Sequence, residues 1–188
     1  MREDAERWDA RYAGVAAGLP SPPTGLDGIA LPEEHGRCLD VACGLGEQSL
    51  WAAVHGFDVV ALDVSPTAIG ALRAAAAARG LDGRIDARVV DLDDGLPADV
   101  GGGYALVICQ RFRDPRLYAA LAGAATPGGL IVVTVLSQVG AHSPGPYHAP
   151  PGELDDAFRA LAVEIVRAVE EDGEATLVAR RLSSRTRT

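Results

Sequence analysis

Long apolar runs are missing from this 188-residue chain; none reaches the ~20 residues that a bilayer-spanning helix requires, so no membrane partner is expected. Cysteine is scarce. Cys38, Cys43 and Cys109 are an odd number at no metal-ligand spacing, which argues against a disulfide scaffold and leaves no metal site to expect. Free thiols of this kind behave as small hydrophobes and suit a reducing compartment. Bases are outnumbered, 17 against 26 acids, for a formal net charge of −9. A surface of that sign repels phosphate backbones, so no nucleic acid partner is expected. The one basic cluster, Arg180, Arg181, Arg185 and Arg187, reads as a solvated tail. The opening, MREDAERWDARY, is charged and lacks a signal peptide's apolar stretch, and a cytoplasmic protein is expected. Internal repeats and low-complexity linkers are absent too.

What remains is globular: 48% hydrophobic and 23% charged residues, at a length that suits one domain over 1–188, as a monomer or homodimer. Residues 1–36 read as an N-terminal helix followed by the proline-glycine loop Gly18–Gly28. From 37 to 136, apolar runs alternate with helical patterns. Strands are expected at Cys38–Val41, Asp58–Leu62, Ile85–Val90, Ala105–Cys109 and Leu130–Leu136, apolar on both faces as in a covered parallel sheet. Ser65-Pro66 is a helix start, and Ile69, Leu72 and Ala76 follow on one face before Gly80. Asp114-Pro115 signals another helix, running to Ala125. Glu47–His55 is a third, with Trp51 in the core, whereas Asp93–Gly103 is too rich in glycine and aspartate for a long one. Residues 137–152 form a long proline-rich connector, a candidate lid. From 153, a helix pattern carrying Leu154, Phe158 and Leu161 leads into two runs around Asp172-Gly173, a hairpin signal. The fold class is α/β: a Rossmann-like, doubly wound, seven-stranded mixed sheet closed by a C-terminal antiparallel hairpin.

The chemistry concentrates in Arg37–Gly46, RCLDVACGLG. A strand carrying Asp40 enters a glycine turn that opens a helix at Glu47, and Gly44 and Gly46 allow backbone to approach a ligand. Asp63 ends the next strand and can accept ribose hydroxyls there; Asp91 ends the third, where it is either a ligand-facing carboxylate or a loop-start cap. Three acids at successive strand ends share the carboxyl edge of such a sheet, where these folds bind ligands.

Asp40-x-x-x-Gly44-x-Gly46, Asp63, Asp91 and the Pro127-Gly128-Gly129 turn resemble class I S-adenosylmethionine-dependent methyltransferases over nearly the whole chain. Trp8-Asp9-Ala10-Arg11-Tyr12 further resembles the opening of small tellurite-resistance-type and thiopurine-type members. The resemblance implies strand order 3-2-1-4-5-7-6 and S-adenosylmethionine as cofactor. Ala42, which stands where the family has its first glycine, would pass along the cofactor's amino-acid end with Gly44 and Gly46, Asp40 lying near the ammonium. Asp63, with Val64, would hold the ribose, and Asp91 with Leu92 the adenine. Cys109 and Gln110 would border the methyl-transfer side, and Arg11 and Tyr12 would close the site or else be a surface ion pair and a packed ring. The acceptor would be a small molecule. Candidates to touch it are Arg111, alternatively salt-bridged to a carboxylate, and Tyr147 and His148, alternatively solvated. Catalytic residues stay otherwise unassigned, since transfer from a sulfonium needs mainly positioning. A nicotinamide-dependent oxidoreductase fits less well, because Ser49 stands where that fingerprint wants glycine. A non-catalytic cofactor-binding sensor is the third reading.

Overall fold

The computed structural model describes residues 2–33 and 35–183. Helix α1 (Arg2–Tyr12) precedes an extended strap that crosses the molecule to β1 (Arg37–Val41). There follow α2 (Glu47–Val54), β2 (Asp58–Asp63), α3 (Pro66–Ala77), β3 (Ile85–Val89), β4 (Tyr104–Gln110), α4 (Tyr118–Ala124), β5 (Ala125–Leu136), α5 (Glu153–Arg159), β6 (Val163–Glu171) and β7 (Glu174–Arg181). The strands form one sheet in the expected order, β3-β2-β1-β4-β5-β7-β6. The first five pair in parallel, and β7 runs antiparallel to both β5 and β6.

Both faces of the sheet are buried, because alternate residues of each central strand feed different cores. Cys38, Leu106, Ile108, Leu130, Val132 and Val178 pack under α2 and α3 with Leu50, Ile69 and Leu72. Leu39, Val41, Val107, Cys109, Ile131 and Val133 pack on the opposite face with Leu121, Leu154 and Phe158 of α4 and α5. Ser65 caps α3 as expected, its hydroxyl accepting the Ala68 amide at 3.1 Å. Among the described residues no helix is long and apolar enough to cross a membrane.

Three expectations need correction. The Asp114-Pro115 signal does not start a helix, because the Asp114 carboxylate turns back on its own loop, accepting from the Arg116 amide at 3.0 Å and from its guanidinium. Helix α4 begins only at Tyr118. Strand β5 begins at Ala125 rather than Leu130: Ala125 pairs with Tyr104, the chain then bulges, and pairing resumes between Leu130 and Leu106. Gly129 is required in that bulge, since a Cβ there would stand 2.9 Å from the Tyr104 carbonyl oxygen. Arg180 and Arg181 are not a loose tail but lie half-buried in β7, donating to the carbonyls of Gly128 and Ala122. Arg185 and Arg187 lie outside the described residues.

Candidate functional site

Sheet order puts β1 and β4 side by side although the chain leaves them in opposite directions, and their carboxyl ends frame the switch point where open α/β sheets bind ligands. Two strained residues mark it. Ala42 (φ 55°) follows β1 and Arg111 (φ 56°) follows β4; both are left-handed although neither is glycine. Such strain persists where surrounding structure over-determines it, and it gathers at functional sites.

The glycine turn is held by the end of β2. Cys43 donates its amide to the Leu62 carbonyl at 2.9 Å, and Gly44 donates to Asp63 Oδ2 at 2.8 Å. Asp63 Oδ1 accepts from the Ser65 amide at 2.9 Å. Burial raises the Asp63 pKa, and these amide hydrogen bonds pull against it. A carboxylate offers about four lone-pair positions, so capacity remains for two hydroxyls. Asp40, buried one strand over, accepts from Ser49 Oγ at 2.5 Å. Burial pushes its carboxyl up to about 7, against the Ser49 hydrogen bond, and the negative charge of Asp63 adds to the rise. Sequence reasoning noted Ser49 only as a missing glycine; its role here is to hold a buried acid.

The two glycines have reasons the sequence reading did not foresee. Both are left-handed, Gly44 at φ 54° and Gly46 at φ 78°. A Cβ on Gly46 would lie 2.3 Å from Leu72 Cδ1, so glycine at this position lets α3 pack onto the turn. A Cβ on Gly44 would lie 2.9 Å from the Tyr12 hydroxyl. Tyr12 therefore reaches the crevice from α1, and burial, with the charge of Asp63 adding, pushes its phenol up to about 12. Asp9, which sequence reasoning gave no role, anchors that helix. Its Oδ1 accepts from Ser65 Oγ and from the Thr67 amide at 3.0 Å, a cap supplied to α3 by another element. Arg11 lies over the Trp8 ring, 5.5 Å from its centroid, and Trp8 stacks on Tyr12.

Other expected residues are placed differently. Asp91 is exposed and accepts from the Asp93 amide at 3.0 Å, the loop-start cap considered above, while Leu92 is buried in the α4–α5 core. Asp91 still stands at the same edge, since Asp63 is in register with Val89. Val64 is half-buried between Asp63 and Ser65. Cys109 is buried, its thiol pushed up by burial, and it points into the α4–α5 core, away from Asp40. Arg111 is salt-bridged, its Nε and Nη2 lying 2.7 and 2.6 Å from Glu174 Oε1. Tyr147 is exposed and accepts from Arg7 at 2.7 Å; His148 Nδ1 accepts from the Gly145 amide at 3.0 Å. The 137–152 connector is pinned at both ends. Ser137 Oγ donates to Glu170 at 2.6 Å, the Gly152 amide donates to the same carboxylate at 2.8 Å, and Ala149 donates to the Leu136 carbonyl at 2.7 Å.

Residues 38–129 match the family described as Methyltransferase domain. Ribosomal RNA small subunit methyltransferase C of Alcanivorax borkumensis is 44% identical over 50 residues, 27% of this chain; the chain spans 15% of that curated relative's length. An S-adenosylmethionine-dependent methyltransferase from Mesorhizobium loti superposes with a TM-score of 0.64 at 23% identity, over 84% of this chain and 100% of that one. The [4+2]-cyclase SpnF superposes at 0.69 with 17% identity, over 97% and 96%. The methyltransferase-domain match thus spans the glycine-turn edge, on a sheet ordered 3-2-1-4-5-7-6 whose fold these solved structures share.

Proposed function

We propose that the protein transfers a methyl group from S-adenosylmethionine to a small-molecule acceptor. The observation that carries the reading is the pair of buried carboxylates, Asp40 and Asp63, at the tips of adjacent strands, with Asp63 bound to the very turn that holds Gly44. The donor set suits the cofactor. Asp63 would take the ribose hydroxyls and Asp40 the ammonium, while Arg11, which lies against Trp8, would take the carboxylate. Asp91, with the backbone after β3, would meet the adenine. When bound, the cofactor supplies a methyl group already activated on a sulfonium. The chain has then to orient, desolvate and exclude water.

Helix α1 is the element suited to that exclusion. Asp9 fixes it to α3, Tyr12 reaches over Gly44, and Arg7 holds Tyr147 of the 137–152 connector. Arg111, Tyr147 and His148 are proposed for the acceptor side, where Arg111 would have to exchange Glu174 for the acceptor. A nicotinamide reading loses support because the helix-start glycine it needs is Ser49, committed to Asp40.

Calorimetry with S-adenosylhomocysteine and with NAD tests the reading, followed by a search for turnover with thiols, phenols, amines and metalloid oxyanions. Asp63→Ala is expected to weaken S-adenosylhomocysteine binding by roughly 1.5–3 kcal/mol, the scale of lost hydrogen bonds to a charged group. Binding of NAD alone would reject the proposal. Binding of S-adenosylhomocysteine without turnover on any acceptor would leave a cofactor sensor instead.

A further inference from the structure

The first amides of a helix have no carbonyl partner within it. At the start of α3, Pro66 has no N–H, and the other amides are all taken from outside the helical ladder. Ser65 donates to Asp63 Oδ1 at 2.9 Å, Ala68 to Ser65 Oγ at 3.1 Å, and Thr67 to Asp9 Oδ1 at 3.0 Å. The last partner is the one α3 could do without. Thr67 is exposed, so water would serve its amide, and Ser65 already caps the helix. Asp9 comes from α1, and its Oδ1 accepts from Ser65 Oγ as well. Asp63, raised chiefly by burial, is raised further by the negative charge of Asp9. A contact that α3 does not need, and that sets two like charges around one serine, has its use in α1.

Asp9 closes a circuit. Tyr12 follows it one turn along the same face of α1, and the Tyr12 hydroxyl is the atom that a Cβ on Gly44 would meet at 2.9 Å. Gly44 donates to Asp63 Oδ2 at 2.8 Å. Asp63 Oδ1 accepts from the Ser65 amide, and the Ser65 hydroxyl donates to Asp9. The other links belong to the turns after β1 and β2; α1 enters through Asp9 at one end and Tyr12 at the other. A second tie of α1, from Arg7 to Tyr147, ends on an exposed ring.

We propose that Asp9 is a positioning residue for the cofactor site: by docking α1 on the start of α3 it keeps Tyr12 over the glycine turn, and it thereby sets the affinity for S-adenosylmethionine. The effect on affinity rests on the cofactor reading of the crevice; the docking of α1 does not. By linkage, bound cofactor tightens the docking of α1 by the same factor. What Asp9 supplies is an acceptor oxygen rather than a charge. Both of its bonds are made to Oδ1, and an amide oxygen has lone pairs for both.

Calorimetry with S-adenosylhomocysteine on the whole chain tests the affinity. Asp9→Ala is expected to weaken binding about tenfold, the scale of a lost helix cap. Asp9→Asn is expected to stay within about twofold of the wild type, since it keeps the acceptor. Tyr12→Ala is expected to weaken binding several-fold in the wild type and hardly at all in the Asp9→Ala chain, because the two residues act as one unit. Docking is read from Trp8, which stacks on Tyr12, in a Trp51→Phe background that leaves it the lone tryptophan. Asp9→Ala is expected to shift that emission to the red without cofactor, and saturating S-adenosylhomocysteine to return it. Unchanged affinity or emission in Asp9→Ala, emission that the ligand does not restore, an asparagine variant as weak as alanine, or additive losses in the double variant would overturn the role of Asp9. A wild-type chain that fails to bind S-adenosylhomocysteine while the Asp9→Ala emission still shifts removes the cofactor reading, and leaves Asp9 the anchor of α1 alone.

Discussion

The two halves of the sheet hold their edges by different means. In the β1–β3 half, polar side chains at the strand tips bond to groups close in the chain: Asp63 to the amides of Gly44 and Ser65, Asp91 to that of Asp93, and Asp40 to the Ser49 hydroxyl. In the β4–β7 half they bond chiefly to one another across long stretches of chain. Arg111 meets Glu174, Gln110 meets Thr134 and Thr134 meets Thr176, while Arg113 and Tyr118 share Glu153. The first arrangement builds a rigid cradle whose geometry the backbone dictates. The second builds a surface whose pairs can be exchanged with little change to the main chain. That division suits a constant cofactor on one side and a variable acceptor on the other.

The division breaks most visibly at the glycine turn. Gly46→Ala is expected to cost about 2–5 kcal/mol, from a left-handed alanine and from overpacking against Leu72. Thermal or denaturant unfolding measures it. In the other half the fair counterpart is Ser137→Ala, which removes a buried hydroxyl bridging Glu170 and the Val139 amide. Its expected cost is smaller, about 1–3 kcal/mol. Were Ser137→Ala the more damaging, side-chain pairs would be as structural as the turn, and the contrast would fail.

A second comparison uses pH. Asp40 is raised to about 7 by burial, far above an unfolded carboxyl. A raised acid binds more protons folded than unfolded, so its contribution favours the fold at low pH and is lost as pH rises through about 7. Asp40→Asn removes the buried charge, and its stabilisation is expected to grow between about pH 4 and pH 7, reaching on the order of 2 kcal/mol. S-adenosylhomocysteine binding by the wild type is expected to tighten from pH 6 to 8 as the carboxylate ionises, with a proton released on binding. The asparagine variant should show a flat profile. A wild-type affinity independent of pH would remove Asp40 from the ammonium end.

The same contrast governs what was legible in the sequence. The sheet order was only implied by the family resemblance, whereas strand positions and the Asp172-Gly173 hairpin follow from apolar period and turn chemistry, which act over a few residues. Asp40, Gly44 and Asp63 were legible for the same reason. Asp9 was not: its partner is the start of α3, 56 residues away, and nothing local distinguishes a capping aspartate from a solvated one. Nor were Thr134 and Thr176, which read as ordinary strand residues until the register sets them beside Gln110. The Asp114 signal misled because the carboxylate found its own loop before a helix could use it.

The smallest expected effects give the sharpest comparison. Ala42 and Arg111 are left-handed at neighbouring strand ends, one in each half. Glycine at either position relieves roughly 1–2 kcal/mol of strain and adds about 0.5–1 kcal/mol of backbone entropy cost. Ala42→Gly is therefore expected to stabilise by about 0.5–1 kcal/mol and to leave turnover intact, because it only places glycine where the methyltransferases this chain resembles carry one. Arg111→Gly also gives up an exposed ion pair, about 0.2–1 kcal/mol, so its stability should hardly move. Turnover then decides its role: a large loss at unchanged stability makes Arg111 an acceptor contact. Wild-type turnover leaves it a latch on Glu174, with its strain a consequence of the sharp exit from β4.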